Sequence, residues 1–154
     1  MTVKPLPPAP VGRPPRMIGA LLRIPFQETV RRIHEDLVRA GFGDLRPAHF
    51  VVFQLIDPGG ARQTELAERA QITKQSMGYL VDYLAGAGYV ERVPDPRDGR
   101  ASLVRLTALG DAVERAARAS LERLEGEWAA LLGPARYAAL KRALTELSDT
   151  IGQV

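Results

Sequence analysis

The stretch from Ile72 to Gly110, ITKQSMGYLVDYLAGAGYVERVPDPRDGRASLVRLTALG, decides how the whole chain is read. In its first part Met77, Leu80, Val81 and Leu84 recur at i, i+3, i+4 and i+7, which defines one buried stripe on a helix. Thr73 is a good N-cap for that helix, and Gly86 and Gly88 end it. Tyr89–Val93 and Ala101–Leu106 then read as two strands. The PDPRDGR between them carries Asp98-Gly99, a strong short-range hairpin signal, with Asp95-Pro96 starting a turn. Thr107 caps a further helix, with Asp111 and Glu114 near its positive end.

Upstream, residues 63–70 form a short helix with Leu66, Ala67 and Ala70 turned inward, and only Ala70-Gln71-Ile72-Thr73 separates it from the next. Two helices joined by so short a turn, the second presenting its start to solvent, make a helix-turn-helix pattern, and the hairpin behind it makes a wing. Ala48–Ile56 is nearly continuously apolar and reads as a buried helix, stopped by Asp57-Pro58-Gly59-Gly60. Residues 17–41 read as one helix interrupted or kinked at Pro25. Downstream, the helix from Thr107 runs to about Leu132, Gly133-Pro134 resets the chain, and a last helix covers about 135–151. Its Tyr137, Leu140, Leu144, Leu147 and Ile151 form a narrow apolar seam of coiled-coil type, which wants a partner and predicts a dimer. The fold class is mainly α with a small β-hairpin wing: a winged helix-turn-helix domain plus a helical dimerisation region.

Composition narrows the function. At 154 residues and 16.8 kDa the chain has room for one compact domain or two small interlocked parts. Its hydrophobic fraction of 45% and charged fraction of 25% are those of an ordinary globular protein, and no apolar run approaches the ~18 residues of a membrane span. Absence of cysteine removes disulfides, thiolate metal sites, cysteine nucleophiles and cysteine redox switches. Residues 1–16 hold half of the 12 prolines and lack the apolar stretch of a secretory signal, so a disordered basic tail and a cytoplasmic location are expected. Lys4, Arg13 and Arg16 in this tail account for the net charge of +3, leaving the body neutral overall. With two histidines, His34 and His49, and no HExxH, GxSxG, GxGxxG or GxxxxGK[ST] pattern, neither catalysis, a cofactor nor a metal site is expected.

Local arrangement is informative instead. Opposite the buried stripe of the second helix lie Gln75, Tyr79 and Asp82, flanked by Lys74, Ser76, Gly78 and Tyr83. Gln75 suits a bidentate contact to adenine, Ser76 is permissive, Tyr79 can reach a phosphate or base methyl, and Lys74 can neutralise a phosphate. Asp82 would face phosphates and is therefore given a structural role. Taken alone this is an ordinary solvated helix face. The hairpin changes the balance: residues 92–105 carry Arg92, Arg97, Arg100 and Arg105 against Asp95 and Asp98, and a wing-tip arginine suits the negative potential of a minor groove.

The run from about 46 to 110 resembles the MarR family of bacterial transcriptional regulators in TELAERA, in ITKQSMGYLVDYLAGAGYVERV and in DPRDGRASLVRLTALG. Its most specific element is a D-x-R followed by L-T-x-x-G, here Asp98-Gly99-Arg100 and Leu106-Thr107-Ala108-Leu109-Gly110. The resemblance implies an intertwined homodimer that presents two winged helices to a pseudo-palindromic operator in double-stranded DNA. It implies residues 17–45 as an N-terminal dimerisation helix, 46–107 as the DNA-binding domain and 108–154 as C-terminal helices completing the dimerisation region. By motif position, Arg100 enters the minor groove, Asp98 orients it and Arg92 supports the wing base. A small aromatic or phenolic ligand is also implied, for which Phe26, Val30, His49 and Phe53 are candidate pocket residues; the same apolar stripe also reads as simple core. The expected function is a ligand-responsive repressor. The alternatives are a winged-helix protein-interaction module and a small-molecule-binding protein without DNA binding.

Overall fold

The computed structural model describes residues 17–152; the expected tail at 1–16 lies outside the described residues. Helix α1 spans Ile18–Arg39, a 3-10 turn Pro47–His49 leads into α2 at Phe50–Leu55, and the short strand β1 at Ala61–Arg62 precedes α3 at Gln63–Arg69. Helix α4 is Lys74–Gly86, strands β2 and β3 are Val90–Asp95 and Asp98–Leu106, and α5 and α6 are Ala108–Leu132 and Pro134–Ile151. The architecture is that of a winged helix-turn-helix within a helical frame.

The core sits under α4. Met77, Val81 and Leu84 are fully buried against Leu66 and Ala67 of α3, Val52 of α2 and Val104 of β3. The α4 start follows its sequence: Thr73 Oγ1 accepts the Ser76 backbone N–H at 3.1 Å. Its end uses Gly88, whose φ of 82° is the left-handed conformation that lets Tyr89 N–H return to Leu84 O at 2.9 Å. The turn between α3 and α4 reverses at Gln71, whose φ of 54° places a side chain where glycine is more at ease.

Helices α1 and α5 pack antiparallel. Arg32 meets Glu127 at 2.5 Å, while Asp36, one turn on, accepts from Ser120 and Arg123, each at 2.6 Å. Pro25 lies inside α1 without ending it; the helix is continuous from Ile18 to Arg39, where the sequence allowed an interruption.

The hairpin differs from expectation in two ways. Its strands pair antiparallel with Asp95 opposite Asp98, so the turn is Pro96-Arg97 rather than Asp98-Gly99. A type I′ turn needs positive φ at both central residues, and Gly99 has none; Pro96 instead supplies the preset φ of an ordinary turn. The sheet also has a third strand, because β1 pairs with β3 through Ala61 opposite Val104 and Arg62 opposite Leu103. Two residues are too few for a periodic signal.

Gly110 joins wing to frame. A Cβ there would lie 2.1 Å from Tyr89 O, so only glycine lets α5 start against the end of the α4 turn. Thr107 secures the same junction: its hydroxyl donates to Gly88 O at 2.6 Å and accepts from Gly110 N–H at 3.2 Å. The L-T-x-x-G signature is therefore a statement about how closely two backbones approach.

Candidate nucleic-acid interface

Lys74, Gln75, Ser76 and Tyr79 all lie on the exposed face of α4, with Tyr79 66% exposed. None of them belongs to the core. Gln75 Nε2 donates to the Tyr79 hydroxyl at 3.1 Å, one turn along, which leaves its carbonyl and second N–H available. Ser76 Oγ accepts from the Thr73 hydroxyl at 2.9 Å, so it is partly engaged by the cap. Lys74 has no ion pair among the described residues. Gly78 marks the crossing of the two helices, since a Cβ there would stand 3.2 Å from Gln63 Nε2.

Further along the same helix Asp82 meets Arg92 Nη2 at 2.7 Å, and the same nitrogen donates to Gln63 Oε1 at 3.0 Å. The structural role given to Asp82 is thus filled by a bond across α3, α4 and β2, and Arg92 sits at the wing base.

The wing arginines are not equivalent. Arg105 is held by Glu91 on the neighbouring strand at 2.7 Å. Arg97, at the turn, is 71% exposed by side chain and leans back on Asp95 at 3.3 Å. Arg100 alone has no carboxylate partner among the described residues. The expected bond from Asp98 to the Arg100 side chain is replaced: Asp98 Oδ1 accepts the Arg100 backbone N–H at 3.2 Å, and Oδ2 lies 3.4 Å from Arg62. A carboxylate two residues earlier on the same chain bonds the nearby amide, as in an Asx turn, and orients the backbone rather than the guanidinium.

Beneath the tip, Asp95 is 1% exposed. Its Oδ1 accepts the Arg97 N–H at 2.9 Å and its Oδ2 lies 2.6 Å from Arg62. The Arg97 amide foremost, aided by the Arg62 and Arg97 side chains, holds this carboxyl down to about 2. Arg62 was not a sequence candidate. It precedes the apolar pattern by one residue, and nothing local points from it to a loop 33 residues away.

The four candidate ligand residues are not brought together. Phe26 is 64% exposed on α1, and Val30 packs at the edge of the core. His49 is buried and caps instead: its Nδ1 accepts the Arg46 N–H at 3.0 Å and its ring stacks on Tyr83 at 4.4 Å. Burial lowers its pKa from the usual value. Of the four, only Phe53 lines a cavity of about 740 Å³ between α1, α2, β3 and α5. Its walls include Ile33, Leu37, Phe50 and Leu121, with Asp111, Glu114, Arg105 and Arg118 also lining it. The sequence pattern could not find this lining because it comes from four separated segments. No group of three or more His, Asp or Glu that could hold a metal occurs among the described residues, and no described helix is long and apolar enough to cross a membrane.

Residues 44–101 match the model of the MarR family. The chain is also similar to the exopolysaccharide II synthesis transcriptional activator ExpG of Rhizobium meliloti (strain 1021), at 27% identity over 51% of this chain and 40% of that protein. It thus spans about two fifths of that curated relative's length. Among solved structures, wild-type MarR from E. coli in its apo form superposes with a TM-score of 0.69 at 26% identity, covering 86% of this chain and 97% of MarR. The transcriptional repressor CouR bound to a 23-mer DNA duplex superposes with a TM-score of 0.68 at 27% identity, covering 86% and 92% of the two chains. The family match falls on the helix-turn-helix and most of the wing, and the structural likeness extends over the helices that frame them: the chain is similar to the MarR family of winged helix-turn-helix transcriptional regulators in both.

Proposed function

We propose that this protein is a homodimeric, sequence-specific DNA-binding repressor of the cytoplasm. The observation that carries this reading is the contrast on α4 itself. Its inner residues are fully buried, while Lys74, Gln75, Ser76 and Tyr79 are exposed polar or aromatic groups that contribute nothing to the core. In this reading Gln75 and Ser76 choose bases in the major groove, and Lys74 and Tyr79 hold the backbone. Arg100 enters the adjacent minor groove, Arg97 faces the phosphates and Arg92 braces the wing. The arginine wing favours this over a protein-interaction module.

Residues 46–107 then form the DNA-binding domain, and 17–45 with 108–154 the dimerisation region. Ile18, Leu21 and Leu22 on α1 and Leu140, Leu144, Leu147 and Ile151 on α6 are between 37% and 65% exposed. A second copy related by a two-fold axis would cover such faces and place two α4 helices on one pseudo-palindrome. Leu144→Asp should then give monomer or aggregate, and sedimentation of the wild type at micromolar concentration should show a dimer; a folded monomer would sink the assembly.

The cavity supports the ligand-responsive part. It is lined by apolar and charged side chains and by both the frame (α5) and the wing (β3), so a bound aromatic or phenolic molecule would shift one against the other. Binding is tested by fluorescence anisotropy with the DNA lying upstream of the protein's own gene, repeated with a panel of phenolic acids. Release of that DNA by one of them, paired with a rise in melting temperature, is the expected result. No binding to that DNA or to any selected sequence would count against the DNA-reading assignment and favour an interaction module.

A further inference from the structure

Arg62 is the N-cap of α3, a place that favours Ser, Thr, Asp or Asn because their side chains accept from the first helical amides. A guanidinium cannot accept. Only the reciprocal half of the cap exists, with Glu65 Oε2 accepting the Arg62 N–H at 3.0 Å. The Arg62 side chain is directed elsewhere. Its Nε and Nη2 converge on Asp95 Oδ2 at 2.8 and 2.6 Å, and Nη2 lies 3.4 Å from Asp98 Oδ2.

These two aspartates stand on either side of the Pro96-Arg97 turn, and each also binds an amide of the wing: Asp95 that of Arg97, Asp98 that of Arg100. A two-stranded tip has little apolar packing of its own to fix its direction. Here one arginine from the helix-turn-helix grips both carboxylates that shape the tip. Among the described residues, the buried Asp95 has no side-chain donor besides Arg62 and Arg97.

We propose that Arg62 is the positioning residue of the wing, locking the Pro96-Arg97 turn onto the first helix of the helix-turn-helix and so setting where Arg97 and Arg100 meet DNA. This rests on the DNA-binding reading above. Arg62 keeps 32% of its side chain exposed, so loss of affinity in Arg62→Ala could also arise from a lost phosphate contact. Its partner separates the two effects. Asp95→Asn removes a negative charge, so a purely electrostatic wing would bind DNA more tightly, whereas a displaced wing binds more weakly.

The test measures backbone amide exchange by NMR together with DNA binding for wild type, Arg62→Ala, Arg62→Lys, Asp95→Asn and the Arg62→Ala/Asp95→Asn pair. The expected result is roughly tenfold faster exchange at Arg97 and Arg100 in Arg62→Ala and in Asp95→Asn, with α4 and α5 amides unchanged. DNA affinity should fall roughly tenfold in each, and the pair should lose little more than either alone, because both changes break one contact. Arg62→Lys keeps the charge but not the fork of donors and should fall between wild type and Arg62→Ala. Wild-type or tighter DNA binding by Asp95→Asn, or unchanged exchange at Arg97 in Arg62→Ala, would overturn the proposal. Should wild type bind no DNA while the wing amides still quicken in Arg62→Ala, the lock stands and the DNA-binding reading falls.

Discussion

Helix α4 and the wing carry the two halves of the recognition surface, yet they are built in opposite ways. On the first turns of α4 the outward side chains are almost free: among the described residues Lys74 has no ion pair, and the Gln75 side chain bonds only its helical neighbour Tyr79. On the wing nearly every charge is already held, Arg92 by Asp82, Arg105 by Glu91 and Arg97 by Asp95. A helix is rigid through its own backbone bonds, so its exposed face can be left open. A hairpin tip has to be fixed by its side chains, and the charges that fix it are partly neutralised in doing so. Counting four wing arginines against two aspartates therefore overstates the wing's free charge, and among the described residues Arg100 is the wing arginine left without a carboxylate.

That division can be broken most severely where the wing joins the frame. Gly110→Ala would drive a Cβ to within 2.1 Å of Tyr89 O, and the backbones on both sides must separate. A stability loss of about 3 kcal/mol or more is expected in urea unfolding, together with loss of DNA binding. A variant as stable as wild type would mean that the junction is not close-packed.

The open face of α4 predicts a smaller and more selective effect. Gln75→Ala should cost about 1–3 kcal/mol of specific affinity and relax one operator position, while Lys74→Ala weakens all sequences alike. Selection from random duplexes reads this directly; identical preferences in wild type and Gln75→Ala would remove Gln75 from base readout.

The smallest expected effect is a pH dependence behind the recognition helix. Burial depresses the His49 pKa, so the unfolded chain takes up its proton first as pH falls. The stability that neutral His49 contributes is full above the unfolded value of about 6.5 and declines below it. His49→Gln should flatten thermal stability between pH 7 and 5 relative to wild type, and an unchanged profile would mean that the stacked ring titrates freely.

Much of this was readable in the residues, for physical reasons that also mark where reading stops. The helix-turn-helix was legible because Leu66, Ala67, Met77, Val81 and Leu84 obey helical spacing and Thr73 is a cap. The apolar seam from Tyr137 to Ile151 was legible for the same reason, and α6 indeed buries no residue within the single chain. Contacts between segments distant in sequence left no such trace. The Pro96-Arg97 turn is not legible because Asp-Gly is the stronger local signal, and what marks the actual turn is the buried Asp95, bonded to the Arg97 amide and to the distant Arg62. The cavity lining is not legible because it is assembled from four separated segments, and only Phe53 of the four candidates faces it; His49 is drawn instead to Tyr83 and to the Arg46 amide.

The central claim, that a largely neutralised wing delivers one free arginine beside an open reading helix, is tested most directly by titrating operator DNA at several salt concentrations with Arg100→Ala and Arg105→Ala side by side. Arg100→Ala should bind more weakly and lose roughly one to two units of salt slope per dimer, while Arg105→Ala, whose charge Glu91 already balances, keeps a slope close to that of wild type. Equal losses in both variants, or an unchanged slope in Arg100→Ala, would contradict it.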